Sequence, residues 1–387
     1  MPNPIYAAMP TTIFTVMSGL AREMNAINLG QGFPDEPGPR AIRQKAADAV
    51  LDGYNQYPPM PGIPELREAV AGHYARFQGL DLNWREEITV TSGATEALAC
   101  AFLSLIEPGD EVVVFAPTYD AYLPMIRRAG GVPRVVRLAP PQWRFDRAML
   151  EAAFSERTRL VVLNNPLNPS ASVCPPEDLA LLAEFCVRFD AVAVCDEVWE
   201  QVVFDNAAHT PLLALPGMRE RTVKIGSAGK LFALTGWKVG WLCAAPALTA
   251  VLSKAHQFLT FTTPPNLQTA VAWGLTNSDD WFATMPADLT RSRDRLASAL
   301  RAEGFAVLQS QGAYFLNVDL AASGVEENDA DFCMRAVKQA GVAAIPLSAF
   351  YETDPVTTII RLCFAKRDET LDEGARRLAK ARNLSIG

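Results

Sequence analysis

Short apolar runs alternate with longer amphipathic stretches along most of the chain. Residues 87–91, 111–115, 159–163, 191–195 and 223–225 read as strands, and 240–244 as the next. Between them, 94–106, 121–129 and 177–189 carry helical spacing, after a loop-rich N-terminal arm. Strands alternating with helices predict βαβ units and a mostly parallel sheet, an α/β fold. Their continuously apolar character predicts a sheet covered on both faces. From about residue 276 the character changes. A charged helix over 288–303 precedes short strands around 314–318 and 359–363, and a helix closes the chain. This predicts a large domain over 41–275 and a smaller α+β domain over 276–387, joined by the arm, 1–40.

Composition narrows the classes. The chain has 387 residues, 49% hydrophobic, with a formal net charge of -8. It lacks the clustered Lys and Arg of a nucleic-acid footprint. Seven cysteines with no Cys-x-x-Cys spacing, several inside apolar runs, read as reduced core residues and favour a cytoplasmic home. The start resembles no signal peptide, and no apolar stretch reaches the roughly 18–20 residues that span a membrane. Three scattered histidines, His73, His209 and His256, argue against a zinc site.

Ligands in open parallel sheets bind beyond the carboxyl ends of strands. The residues that follow the predicted strands are therefore informative: Ser92-Gly93-Ala94-Thr95, Pro117-Thr118-Tyr119, 164–168, Asp196-Glu197, and 227–230. They would bring a glycine turn, an aromatic ring, amides, a carboxylate and a lysine to one rim, the parts that hold a phosphorylated aromatic aldehyde. The helix start at Gly93 can present free N–H groups to a phosphate, although such turns are also common without a ligand. Asp196 ends a buried strand, so its carboxylate needs a cationic partner. A pyridinium N–H, a nearby Lys or Arg, or a helix N-terminus would each serve. Lys230 lies among small and apolar neighbours, where desolvation favours the neutral, nucleophilic amine. Lys238 can neutralise a phosphate or lie in solvent. Arg361 sits in the apolar run 359–364 and requires an anion, either a substrate carboxylate or an internal Asp or Glu.

Taken together, several stretches resemble the class-I pyridoxal-phosphate aminotransferases of fold type I, closest to the bacterial methionine aminotransferases and the kynurenine-aminotransferase-like group. They are Ile27 to Asp35, Asn55 to Gly62, Thr89 to Leu98, Asn165-Pro-Leu-Asn-Pro169, Asp196-Glu-Val198, Ser227 to Trp241, and Ile359 to Lys366. The resemblance covers nearly the whole chain and implies an aspartate-aminotransferase-like fold with a seven-stranded sheet. It implies that Lys230 carries pyridoxal 5'-phosphate as a Schiff base and then moves the substrate proton. Asp196 would bind the pyridine nitrogen, Asn168 the ring 3-oxygen, and Tyr119 the ring face. Gly93, the Ala94 and Thr95 backbone, Ser227 and Lys238 would hold the phosphate. Arg361, Asn168 and the Gly32 backbone would take the substrate carboxylate. Tyr57 would reach the phosphate from a neighbouring subunit, which implies a homodimer with composite sites.

One position departs from the family pattern. Trp199 stands where a tyrosine usually donates to the ring 3-oxygen, and an indole N–H has a different reach. The expected consequence is an altered titration of the lysine-bound cofactor. Aromatic supply near the matched segments (Phe14, Phe33, Phe258, Phe261, Tyr314, Phe350) predicts an apolar or aromatic amino donor such as methionine, phenylalanine or a kynurenine-like compound, with a 2-oxo acid as acceptor. A carbon–sulfur β-lyase acting on cysteine conjugates would begin by removing the same proton. A noncatalytic regulatory module is not expected, because fewer than ~40 residues precede the matched region, short for an added domain.

Overall fold

Valine, isoleucine and leucine alternate between two covered faces along the central strands, and this fixes the architecture. A computed structural model describes residues 2–205 and 207–386. Its strands are β1 (Ile27–Asn28), β2 (Ile88–Thr91), β3 (Glu111–Ala116), β4 (Val132–Arg137), β5 (Thr158–Asn164), β6 (Val192–Asp196), β7 (Thr222–Ser227), β8 (Gly240–Cys243), β9 (Ala306–Val307), β10 (Phe315–Asp319), β11 (Val342–Ala343), β12 (Ile345–Pro346) and β13 (Ile359–Cys363). Seven of them form one sheet in the order β2-β8-β7-β6-β5-β3-β4. All neighbours are parallel except β8, which runs antiparallel to both β2 and β7. The expected α/β class and mostly parallel sheet are present.

Strand side chains point to opposite faces in turn. Val112, Val114, Leu160, Val162, Val194 and Ile225 therefore pack on one face with the helix Gly93–Leu105. Val113, Val161, Leu163, Ala193 and Cys195 pack on the other with the helix Pro176–Arg188. Fully burying each large aliphatic side chain contributes about 1.5–3 kcal/mol, so the two layers hold the strand ends rigidly.

Three sequence expectations change. Residues 132–137 form an edge strand that the pattern concealed, because Pro133, Arg134 and Arg137 interrupt its valines, two of which are half-exposed. The arm is not simply loop: the helix Ile13–Glu23 starts where the Thr12 hydroxyl accepts from the Thr15 N–H. The charged helix begins earlier, as Asp279–Ala302, and runs through Pro286. Proline reads as a break in sequence, but buried Phe282 and Met285 anchor the turns before it.

A second sheet, β12-β13-β10-β9, is antiparallel throughout. The arm's β1 pairs in parallel with β11, and its Met17, Ala21 and Leu29 share a core cluster with Leu316, Val318 and Leu371. Among the described residues, no helix is long and apolar enough to cross a membrane.

Candidate active site

The carboxyl ends of β5, β6 and β7 and the turn after β2 enclose a cavity of about 180 Å³. Register places Asn164 beside Asp196, and Gly240 beside both Thr91 and Ser227. Ten residues expected from sequence line this cavity: Gly93, Ala94, Thr95, Tyr119, Asn168, Asp196, Trp199, Ser227, Lys230 and Lys238. Arg361 adjoins it through a hydrogen bond from Nη1 to Asn168 Oδ1, 2.7 Å. Gly32 adjoins through its carbonyl, which accepts from the Tyr314 hydroxyl at 2.8 Å. Tyr57 is not brought in by this chain. It is 80% exposed, lines a separate cavity, and packs edge-on against Phe261 at 5.3 Å.

Asp196 and Glu197 are consecutive and point to opposite sides. Glu197 joins Glu200 in pairing with Lys224, so that lysine is not free for Asp196. Asp196 Oδ2 accepts from the Tyr122 hydroxyl at 2.6 Å, while Oδ1 is buried without a partner. Burial raises the Asp196 pKa above the usual carboxylate range, with the Tyr122 hydrogen bond opposing that shift. Asp196 lines the cavity and retains one unsatisfied acceptor, which a cationic N–H would complete.

The turn at residues 92–95 is built for close approach. Gly93 has φ +75°, and a Cβ there would lie 3.2 Å from Lys238 Nζ. A Cβ on Gly240 would lie 2.8 Å from the Gly93 carbonyl carbon and 2.9 Å from the Ala94 nitrogen. Two glycines thus let β8 press against the helix start. The first N–H groups of that helix have no intrahelical acceptor and, with the ammonium of Lys238, make a cradle for an anion.

Lys230 follows β7 in a single helical turn, Ala228–Leu231. Its Nζ donates to Tyr314 Oη at 3.2 Å and lies 4.5 Å from the centre of the Trp199 ring. Desolvation by its surroundings lowers the amine pKa from 10.5 to about 8, against a smaller raising effect from Cys363 and Asp196.

Arg361, on β13, is only 1% exposed. Its guanidinium stacks near Phe315 at 4.0 Å, and near Phe14 and Phe350 at 5.2 Å each. Its Nη2 donates to the Gly30 carbonyl at 2.9 Å, and its Nε is buried with no partner. Burial lowers its pKa to about 10. Among the described residues it forms no salt bridge with an Asp or Glu; Asp120 acts on it only at longer range, so its fork is open to an anion.

The family model described as aminotransferase class I and II matches residues 24–378. The chain belongs to the class I and II aminotransferases. It is 44% identical over 380 residues to a probable N-succinyldiaminopimelate aminotransferase of Mycobacterium tuberculosis, covering 95% of this chain and 96% of the relative. It is 43% identical over 379 residues to the methionine aminotransferase of Escherichia coli, covering 98% of each. Human kynurenine–oxoglutarate transaminase 1 is 35% identical over 394 residues, covering 93% of each. The solved structure of N-succinyldiaminopimelate aminotransferase from Mycobacterium tuberculosis superimposes with a TM-score of 0.95 at 43% identity, covering 98% of this chain and 100% of that one. The protein is thus an aminotransferase dependent on pyridoxal phosphate.

The residues present fit that cofactor. The aminotransferase offers an orphaned carboxylate oxygen for a pyridine N–H, an anion cradle at Gly93 and Lys238, and a desolvated amine, all on one cavity. Sequence reasoning missed Tyr122, Gly30 and the role of Tyr314. Tyr122 opens the helix Tyr122–Arg128 just after Tyr119, and that nearness in sequence was the available signal. The contacts of Gly30 and Tyr314 close across 331 and 282 residues of chain and left no local trace.

Proposed function

We propose that this aminotransferase takes the amino group of an apolar or aromatic L-amino acid, such as methionine, phenylalanine or a kynurenine-like compound, and passes it to a 2-oxo acid. The observation that carries the reading is the phenylalanine wall around Arg361: one buried carboxylate clamp, ringed by Phe14, Phe315 and Phe350. Arg127, a second arginine near that wall, is taken by Glu352. A donor with a side-chain carboxylate therefore finds that second guanidinium already occupied.

In this reading pyridoxal phosphate supplies the electron sink for the carbon that loses its proton. Lys230 binds the cofactor and moves the proton at the substrate Cα. Asp196 would accept from the pyridine N–H and so keep that nitrogen protonated. Asn168 would orient both the ring 3-oxygen and, with Arg361 and the Gly32 backbone, the substrate carboxylate. Tyr119 and Trp199 wall the ring. The 93–95 turn, Ser227 and Lys238 hold the phosphate. The relatives named for methionine and kynurenine support the donor class, and all the named relatives are transaminases, which favours transfer over β-elimination.

A donor screen with purified protein tests the substrate class. Methionine, phenylalanine and kynurenine are expected to turn over at least about tenfold faster than aspartate, a gap of about 1.4 kcal/mol. N-succinyldiaminopimelate belongs in the same screen because of the Mycobacterium tuberculosis relative. Aspartate or N-succinyldiaminopimelate far outpacing methionine would overturn the proposal. Pyruvate and ammonia released from a cysteine conjugate, without any oxo acid, would instead favour the lyase.

The proposal includes a homodimer in which Tyr57 completes the partner's phosphate site. Tyr57, Tyr54, Leu51 and Phe258 are exposed at 80%, 73%, 81% and 85%, a cost that burial against a second copy would remove. Light scattering that returned the mass of one chain would refute the dimer. The domain division at residues 40 and 275, and a cytoplasmic home consistent with seven free cysteines, belong to the same proposal.

A further inference from the structure

The position that departs from the family pattern sets an indole ring beside Lys230. Trp199 presents a ring face to Lys230 Nζ, not a hydroxyl, and the hydroxyl beside Nζ belongs to Tyr314. That phenol is held on several sides. It is 2% exposed, packs edge-on against Trp199 at 4.3 Å, and lies against Phe315 at 5.2 Å. Its O–H donates to the Gly32 carbonyl at 2.8 Å. A Cβ at Gly32 would lie 2.9 Å from Phe315 Cζ, so the glycine lets the neighbouring Phe315 ring pack against this segment.

We propose that Tyr314 is the positioning residue for the Lys230 amine, receiving an N–H from Nζ whenever the amine is free. The inference rests on the assignment of Lys230 as the cofactor lysine. The direction of the hydrogen bonds carries the argument. The single proton of Tyr314 is committed to the Gly32 carbonyl, so its oxygen can only accept from Nζ. A neutral amine has two N–H bonds and one lone pair. Giving one N–H to Tyr314 leaves the lone pair unused and aimed away from the phenol. The four-carbon stem of lysine would otherwise let the amine sample many rotamers. Tyr314 thus fixes the base without consuming its basicity, a task that no hydroxyl at position 199 performs in this chain.

The sign of the effect on titration follows. An ammonium donates a stronger hydrogen bond than a neutral amine, so the Tyr314 oxygen favours the charged form of Lys230. Other groups that act on Nζ are Asp196 and Cys363, which raise its pKa, and Arg361 and Lys238, which lower it. Removing the phenol oxygen adds to the lowering.

The test uses the full chain freed of cofactor. Pyridoxal phosphate is added and the absorbance of the lysine-bound form is followed in time across pH. In the wild type the rate should climb with pH and level off above about 8, where the amine becomes neutral. In Tyr314→Phe the midpoint should fall by roughly half a pH unit or more, with a plateau rate several-fold lower. Tyr314→Gln, which restores an acceptor, should recover part of the shift. Curves for Tyr314→Phe that superimpose on the wild type would overturn the proposal. Failure of the wild type to attach cofactor at residue 230 would sink the lysine assignment itself, and this inference with it. Should Tyr314→Phe fail to fold, a wild-type crystal structure with pyridoxamine phosphate, in which Lys230 is free, decides. Nζ within about 3 Å of Tyr314 Oη supports the proposal, and a separation beyond about 4 Å refutes it.

Discussion

Lys230→Ala is expected to lower amino transfer by at least about 10³-fold and to abolish covalent retention of the cofactor. Four buried or site-proximal lysines among the described residues offer themselves, and their environments separate them. Lys366 is held by the Phe33 carbonyl at 2.9 Å and the Asp35 carboxylate at 3.1 Å. Lys224 is fully buried between Glu197 and Glu200, which raise its pKa well above the ordinary value despite the opposing cost of burial. It stays charged and is no nucleophile. Lys238 stands against Gly93 at the anion cradle, where its charge has a use. Lys230 alone combines a place on the cavity with an amine lowered to about 8, so near pH 8 roughly half of it is neutral. Borohydride reduction of the holoenzyme followed by peptide mass analysis should place the coenzyme on the peptide containing residue 230. Partial rescue of Lys230→Ala by added methylamine would show that the fold survives. A coenzyme adduct at another lysine, or a variant retaining more than about a tenth of its rate, would defeat the assignment.

What could be read from sequence followed from how the sheet is covered. Strands such as β5 and β6 are apolar on both faces, so their bounds and the polar residues at their ends were visible without coordinates. Asp196 was conspicuous because a carboxylate at the end of Ala-Val-Ala-Val-Cys is costly. The edge strand β4 was hidden because Arg134 and Arg137 put a charge on each of its faces and a proline interrupts the run. The reversed direction of β8 was equally hidden, since Gly-Trp-Leu-Cys has no composition that distinguishes antiparallel from parallel pairing. At the site, residues with an intrinsic chemical demand were legible: a buried acid, a lone amine, a guanidinium in an apolar strand. Residues whose importance lies in a partner were not. Tyr122 matters only because its hydroxyl meets Asp196, and Gly30 only because its carbonyl meets Arg361. Such contacts are set by tertiary packing, and no local pattern encodes them.

Arg361→Lys should lower kcat/KM for every amino donor by on the order of 10²–10³, about 3–4 kcal/mol, while leaving cofactor attachment intact. The magnitude comes from geometry. The guanidinium gives one N–H to Asn168 Oδ1 and one to the Gly30 carbonyl, which fixes its plane between Phe315, Phe14 and Phe350. A planar fork held this way can meet a carboxylate with two parallel hydrogen bonds, and a lysine ammonium cannot reproduce them. The substitution keeps a positive charge, so the loss would measure shape more than charge. It also strips acceptors at Asn168 and Gly30 of their donors in a buried place, which adds to the penalty. The deficit should be similar for methionine and phenylalanine, because both present the same α-carboxylate. A decline of less than about threefold, or one confined to a single donor, would mean that the carboxylate is held elsewhere.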